Sequence, residues 1–180
     1  MPKVVNIEPT PNPDALKFIT QRPLLKSGVR SFRDFGSAVG DPLASAVFSL
    51  GRVTSVFYMD RFVTVNKEAS AEWSELIDPI CEVVEDLKME EAEGAKPAGP
   101  PDEAADEKLR KIHEVLDSRI RPGLAGDGGG LEVLDFDGTT LRISYQGACG
   151  SCPSSGTGTL RYIEMLLQDT VDPNIQVVSW

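Results

Sequence analysis

The chain has 180 residues, 41% of them hydrophobic, and 18 Lys and Arg stand against 28 Asp and Glu for a formal net charge of −10. That length suits two small domains. The acidic balance argues against a phosphate-backbone binder, and no apolar run reaches the roughly 18 residues of a membrane span.

The opening Met1-Pro2-Lys3-Val4-Val5 lacks a basic region followed by an apolar one, so it reads as neither signal nor transit peptide. Three cysteines, an odd number, do not suggest a secreted disulfide framework, and a cytoplasmic protein with reduced thiols is expected.

Val4 to Ile7 reads as a first strand and Ala15 to Thr20 as a second, joined by the turn-rich Pro9-Thr10-Pro11-Asn12-Pro13-Asp14 into an early hairpin. Ser31 to Ser37 fits neither strand nor helix. Asp41-Pro42 opens a helix, with Asp41 as N-cap and Pro42 in its first turn. Val53 to Tyr58 and Phe62 to Asn66 form two strands around Met59-Asp60-Arg61. From Ala71 to Lys88, Trp73, Ile77, Ile80, Cys81, Val84 and Leu87 fall on one helical face. Pro79 sits inside that helix, where a kink or break is expected. Cys81 lies within the apolar stripe and reads as a small buried hydrophobe.

Residues 90–104 hold one lysine against five acidic residues in 90–103, with Ala, Gly and Pro making up most of the rest. Such a segment buries too little apolar surface to offset its ordering entropy. It reads as a flexible acidic linker between a domain over 1–89 and one over 105–180.

The second domain begins with a helix whose buried face is Leu109, Ile112, Leu116 and Ile120 and which Pro122 should end. His113, the one histidine of the chain, flanks that face and reads as a core-edge residue. Gly126-Asp127-Gly128-Gly129-Gly130 follows a helix and precedes a strand, the reverse of a phosphate-binding loop. It reads instead as a turn that lets backbone pass close to another segment. Leu131, Val133 and Phe136 mark a strand, Asp137-Gly138 a hairpin turn, and Leu141, Ile143 and Tyr145 a second strand. A helix from about Ser155 to Gln168 and a strand over Asn174 to Val178 complete an α-β-β-α-β order. The fold class is therefore α+β, as two small domains. On the last helix Leu160, Ile163 and Leu167 form one apolar stripe. Tyr162, Met165 and Leu166 add a second side, which could pack inside the domain or meet a partner subunit.

Between the hairpin and that helix stands Gly147-Ala148-Cys149-Gly150-Ser151-Cys152-Pro153-Ser154-Ser155. Cys149 and Cys152 are spaced C-x-x-C on what should be an exposed loop, and the glycines let the backbone curl so that both sulfurs converge. Three chemistries are open. A thiol–disulfide centre of the thioredoxin kind opens a helix in a βαβ unit, whereas this loop follows a hairpin. A structural zinc site needs four ligands, of which one chain offers two. An iron–sulfur cluster is usually held by four thiolates, which two copies of Cys149 and Cys152 supply. The third reading is preferred, and ligands split between two chains on an accessible loop suit a carrier that gives its cluster away.

Two strings resemble a known family. Pro9-x-Pro11-Asn12-Pro13-x-x-Leu16-Lys17-Phe18 is similar to the opening of the Nfu-type N-terminal domain. Ile120-Arg121-Pro122, Asp127-Gly128-Gly129 and the run from Gly147 to Ser155 resemble the signature of the NifU C-terminal domain. Gly126 departs from the Ala common in that family, and Gly130 from an acidic or polar residue. The resemblance implies a non-enzymatic carrier. In it Cys149 and Cys152 are metal ligands to a [4Fe–4S] cluster that bridges a homodimer. The N-terminal domain would dock apo client enzymes or an upstream assembly scaffold, without nucleic acid or membrane.

Overall fold

The computed structural model describes residues 3–86, 107–150 and 158–180. The chain divides into two compact units, Met1–Lys96 and Pro97–Trp180. Both are α+β. The expected linker over 90–104 lies outside the described residues.

In the first unit, β1 (Val4–Pro9), β2 (Ala15–Thr20), β3 (Val29–Phe32), β4 (Val53–Met59) and β5 (Phe62–Lys67) form one sheet in the order β1-β2-β5-β4-β3. Every neighbouring pair is antiparallel. The register sets Phe18 opposite Val63, and Val63 opposite Tyr58, so alternate residues collect on one face. Phe18, Val56, Tyr58, Val63 and Val65 meet Leu43, Ala44 and Val47 of α2 (Pro42–Ser49) and Leu76, Ile80 and Val84 of α3 (Trp73–Asp86). Each such buried aliphatic side chain contributes about 1.5–3 kcal/mol, which makes this face the unit's main source of stability.

The turn between β1 and β2 is built by its own side chains. Thr10 donates its hydroxyl to the Asn12 and Ala15 carbonyls, and Asn12, which is buried, accepts from the Asp14 N–H. Lys67 pairs with Asp14 at 2.8 Å, and the Trp73 indole donates to the Pro13 carbonyl. The ambiguous stretch resolves into β3 and a one-turn helix, α1 (Phe35–Ala38). Asp34 caps it by accepting from the Ser37 N–H, while Ser37 closes a reciprocal capping box. Asp41 is the N-cap of α2 as expected, accepting from the Ala44 N–H at 2.8 Å.

Pro79 does not break its helix: α3 runs as one element from Trp73 to Asp86 with the proline inside. Leu76 on one side of it, and Ile80 and Val84 on the other, pack into the same core, so burial keeps both halves in one helix against the lost backbone hydrogen bond.

In the second unit, β6 (Gly129–Phe136) and β7 (Thr140–Gly147) form an antiparallel hairpin, and β8 (Gln176–Ser179) lies parallel to β7. The parallel pair is joined through α6 (Gly158–Thr170), since parallel neighbours need a crossover. At the Asp137-Gly138 turn, Asp137 accepts from the Thr139 and Thr140 N–H groups and Gly138 takes a positive φ of 100°.

Pro122 does not end the first helix of this unit. α4 (Glu107–Val115) passes through a π-helical turn over Leu116–Ile120 into α5 (Arg121–Gly126). The Arg121 N–H donates to the Leu116 carbonyl five residues back, and Ser118 donates its hydroxyl to the Glu114 carbonyl at 2.7 Å. The wide turn opens space for a proline ring that would clash in a regular helix. Leu109, Ile112, Leu116, Ile120 and Leu124 thereby all reach a core shared with Leu141 and Ile143 of the sheet and Ile163 and Leu167 of α6.

Candidate metal centre

β7 carries the chain straight into the cysteine loop. Gly147, its last residue, has φ 63°, a conformation that favours glycine, and it reverses the chain. The Gly150 N–H then donates to the Gly147 carbonyl at 3.1 Å, closing a turn around Cys149. The Ala148 N–H donates to the Gly128 carbonyl at 3.2 Å, and Gly129 pairs with Gly147 across the ladder. The glycine turn and the cysteine loop are thus two layers of one construction, in keeping with the close backbone passage that the glycines of 126–130 predict.

Cys149 departs from expectation. The sequence pattern puts it on an exposed loop, yet it is 8% exposed and belongs to the hydrophobic core of the second unit. The left-handed turn at Gly147 brings Ala148 and Cys149 back against the glycine turn, and Gly129 leaves the room. A Cβ built on Gly129 would stand 2.6 Å from the Cys149 sulfur and 2.8 Å from the Gln146 carbonyl oxygen. Gly150 is crowded as well, 3.1 Å from the Tyr145 carbonyl oxygen by the same construction. Cys152, the second predicted ligand, lies outside the described residues, as does the start of the following helix near Ser155.

Tyr145 is the site neighbour that sequence reasoning passes over as an ordinary strand residue. Its side chain is buried, and its hydroxyl is pushed up to about 12, first by burial and then by the negative charge that a Cys149 thiolate brings close to it. The alternation of Leu141, Ile143 and Tyr145 foretells its inward face but not its electrostatic contact with Cys149.

The remaining candidates sit where their residue types suggest. Cys81 is half-buried on α3 against the first unit's core. Burial pushes its thiol up, and the Glu85 and Asp78 carboxylates push it further, so it stays protonated and behaves as a small apolar group. His113 is half-buried at the core edge of α4. Burial and then the Arg121 guanidinium hold its imidazole below the usual value, with Asp117 opposing. Among the described residues no cluster of three or more Cys, His, Asp and Glu has the arrangement of a metal site. On α6, Ile163 and Leu167 are buried and Leu160 and Leu166 partly so, whereas Tyr162 and Met165 are 57% and 61% exposed. The second apolar side of that helix is therefore split, with Leu166 turned to the core and the other two to solvent.

Two family models match the chain. Residues 5–91 match the scaffold protein Nfu/NifU N-terminal model, and residues 112–178 match the NifU-like domain. Among curated proteins, the Arabidopsis thaliana NifU-like protein 5, mitochondrial, is 34% identical over 177 residues, covering 93% of this chain and 64% of its own length. The Drosophila persimilis NFU1 iron-sulfur cluster scaffold homolog, mitochondrial, is 32% identical over 181 residues, covering 97% of this chain and 64% of its own. The chain thus spans a little under two thirds of the length of these relatives. A solved NifU-like protein from Saccharomyces cerevisiae aligns over 53% of this chain and 87% of its own at 23% identity and a TM-score of 0.42. A solved Staphylococcus aureus protein aligns over 45% and 96% at 20% identity and 0.40. With an Nfu-type unit followed by a NifU-like unit, and relatives above 30% identity along nearly its whole length, the chain belongs to the Nfu/NifU-like family.

Proposed function

We propose that this protein is an iron–sulfur cluster carrier. Two copies each contribute Cys149 and Cys152, the four thiolates hold a [4Fe–4S] cluster as cargo between them, and the cluster passes to apo client proteins. The observation that carries this reading is the construction around Cys149. In the NifU-like unit, the described start of the C-x-x-C stretch, Gly147 to Gly150, lies on a glycine turn that backs the Cys149 sulfur. Family membership and relatives named as iron-sulfur cluster scaffolds support it. The arithmetic of ligands supports the shared site: the chain has three cysteines and one histidine, and Cys81 packs half-buried against the core of the other unit.

Delivery needs no catalytic step. Each Cys149 and Cys152 thiol loses its proton on binding iron. A client thiolate then forms its own Fe–S bond as one carrier Fe–S bond breaks, and the displaced carrier thiolate regains a proton. Four such exchanges move the cluster with no net change in its oxidation state. The Nfu-type unit serves in this reading as the docking element for clients and for an upstream assembly scaffold. A cytoplasmic site of action, with its reduced thiols, belongs to the same proposal.

Anaerobic reconstitution with iron and sulfide tests it. The expected product is a dimer with about four iron and four sulfide per two chains. Holo protein should then restore the activity of an apo [4Fe–4S] enzyme. A Cys152→Ser chain that keeps a full cluster, or a native chain that takes zinc tightly and no cluster, would overturn the assignment.

A further inference from the structure

The glycines around the cysteine loop are not equivalent. Gly128 and Gly147 have φ values of 77° and 63°, so backbone conformation alone favours glycine there. Gly129 is not among the positive-φ residues and lies in the regular β6–β7 ladder, a backbone that any residue adopts. What keeps a side chain out of position 129 is the Cys149 sulfur together with the Gln146 carbonyl oxygen. A methyl group placed on the Gly129 Cα would meet that sulfur at 2.6 Å, the Cys149 Cβ at 3.1 Å and the Gln146 carbonyl oxygen at 2.8 Å.

We propose that Gly129 is the positioning residue for Cys149. Its bare Cα is the seat on which the thiol rests, and that seat fixes the ligand's place before and during cluster binding. The functional half of this proposal rests on the cluster reading above, whereas the seat itself stands on the cluster-free geometry.

The neighbours decide what gives way when the seat is filled. The Gln146 carbonyl belongs to β7 backbone held by pairing with Gly130 of β6. The sulfur is the end of a one-torsion side chain on a loop. A methyl group at 129 therefore displaces the sulfur by a rotamer change, and the Gln146 carbonyl must give way as well. In a shared site one such substitution moves two of the four sulfurs. Supporting groups of this kind change metal affinity by about 10–100-fold when altered, because ligand sites tolerate only about 0.5 Å of misplacement. Gly126 provides the contrast. It stands in the same glycine run, and a Cβ there meets nothing within 4 Å.

The test uses the full chain in two backgrounds. With Cys81→Ser and Cys152→Ser, Cys149 is the sole thiol, and iodoacetamide reports its accessibility without any cluster. Gly129→Ala should speed alkylation by about tenfold or more, and Gly126→Ala should leave it within about twofold. With all native cysteines, reconstituted Gly129→Ala protein should lose its cluster to a chelator about 10–100-fold faster than native or Gly126→Ala protein.

Alkylation unchanged by Gly129→Ala in a cooperatively folded chain overturns the seat. Faster alkylation with unchanged cluster retention overturns its role in positioning the ligand. A native chain that takes up no cluster defeats the carrier reading, while the alkylation arm still decides the seat. Should Gly129→Ala fail to fold, the native-Gly129 single-thiol chain decides. Its Cys149 should react at least about tenfold more slowly folded than in urea, and equal rates overturn the proposal.

Discussion

Replacing Asp41 by alanine removes one carboxylate that does three things in the Nfu-type unit. Its side chain caps α2 through the Ala44 N–H, and it accepts from Arg30 and from the Tyr58 hydroxyl at 2.6 Å each. It is 4% exposed, Tyr58 is fully buried, and Arg30 keeps about a quarter of its side chain in water. Burial and the Asp41 charge push the Tyr58 phenol up, so this hydroxyl is firmly a donor. Loss of the cap costs about 1 kcal/mol. A buried tyrosine hydroxyl left without its acceptor costs about 1–3 kcal/mol. The stranded Arg30 adds about 1 kcal/mol, well below the roughly 3–5 kcal/mol of a fully buried charge, because it can turn to solvent. The expected total is about 3–5 kcal/mol, a fall in Tm of about 15 °C or more for a unit of this size. Asp41→Asn keeps one oxygen, enough to accept for the cap, but sets an amide nitrogen where the second oxygen met Tyr58 and Arg30, so it should recover only the cap's share, about 1 kcal/mol, of that loss. Urea unfolding followed by Trp73 fluorescence in a Trp180→Phe background measures both. A cost for Asp41→Ala below about 1 kcal/mol, or equal costs for the two variants, would refute the reasoning.

His113 makes the NifU-like unit sensitive to acid. Its folded-state value is held below the ordinary 6.5 by burial and by Arg121, so the unfolded chain binds more protons in that window. Stability should be fully present above about pH 6.5 and decline as pH falls from there toward the depressed folded value; His113→Gln should flatten that slope in urea titrations at about pH 5 to 7. Gly126 ends α5 with open space around it and without a positive φ, so Gly126→Ala should raise stability by about 0.4–1 kcal/mol, read as a shift in urea midpoint. Pro79 removes a backbone hydrogen bond from the middle of α3. Pro79→Ala should stabilise the first unit by about 1–2 kcal/mol, after the greater freedom it returns to the unfolded chain, and unchanged or lower stability would mean that the ring itself packs favourably.

Short-range signals carry much of the fold. The Asp137-Gly138 turn, the Asp41-Pro42 helix start and the alternation of Leu141, Ile143 and Tyr145 each depend on residues within a turn or two of one another. Proline is where local rules mislead. At Pro79 the packing of Leu76, Ile80 and Val84 outweighs a missing hydrogen bond, and at Pro122 a π turn makes room for the ring. Both compensations depend on side chains or backbone that meet only in the folded unit.

The site divides in the same way. The type and spacing of Cys149 and Cys152, and the density of glycine at 126–130, are legible because ligand chemistry and backbone freedom belong to residue types. Sequence by itself thus determined an α+β chain with a C-x-x-C loop between a hairpin and a helix. Tertiary structure alone decided that the Cys149 sulfur lies inward on Gly129 with Tyr145 buried nearby, because β6 pairing with β7 brings residues some twenty apart within contact distance. A two-residue period says which face a side chain takes, but only the register across the ladder says what it meets there.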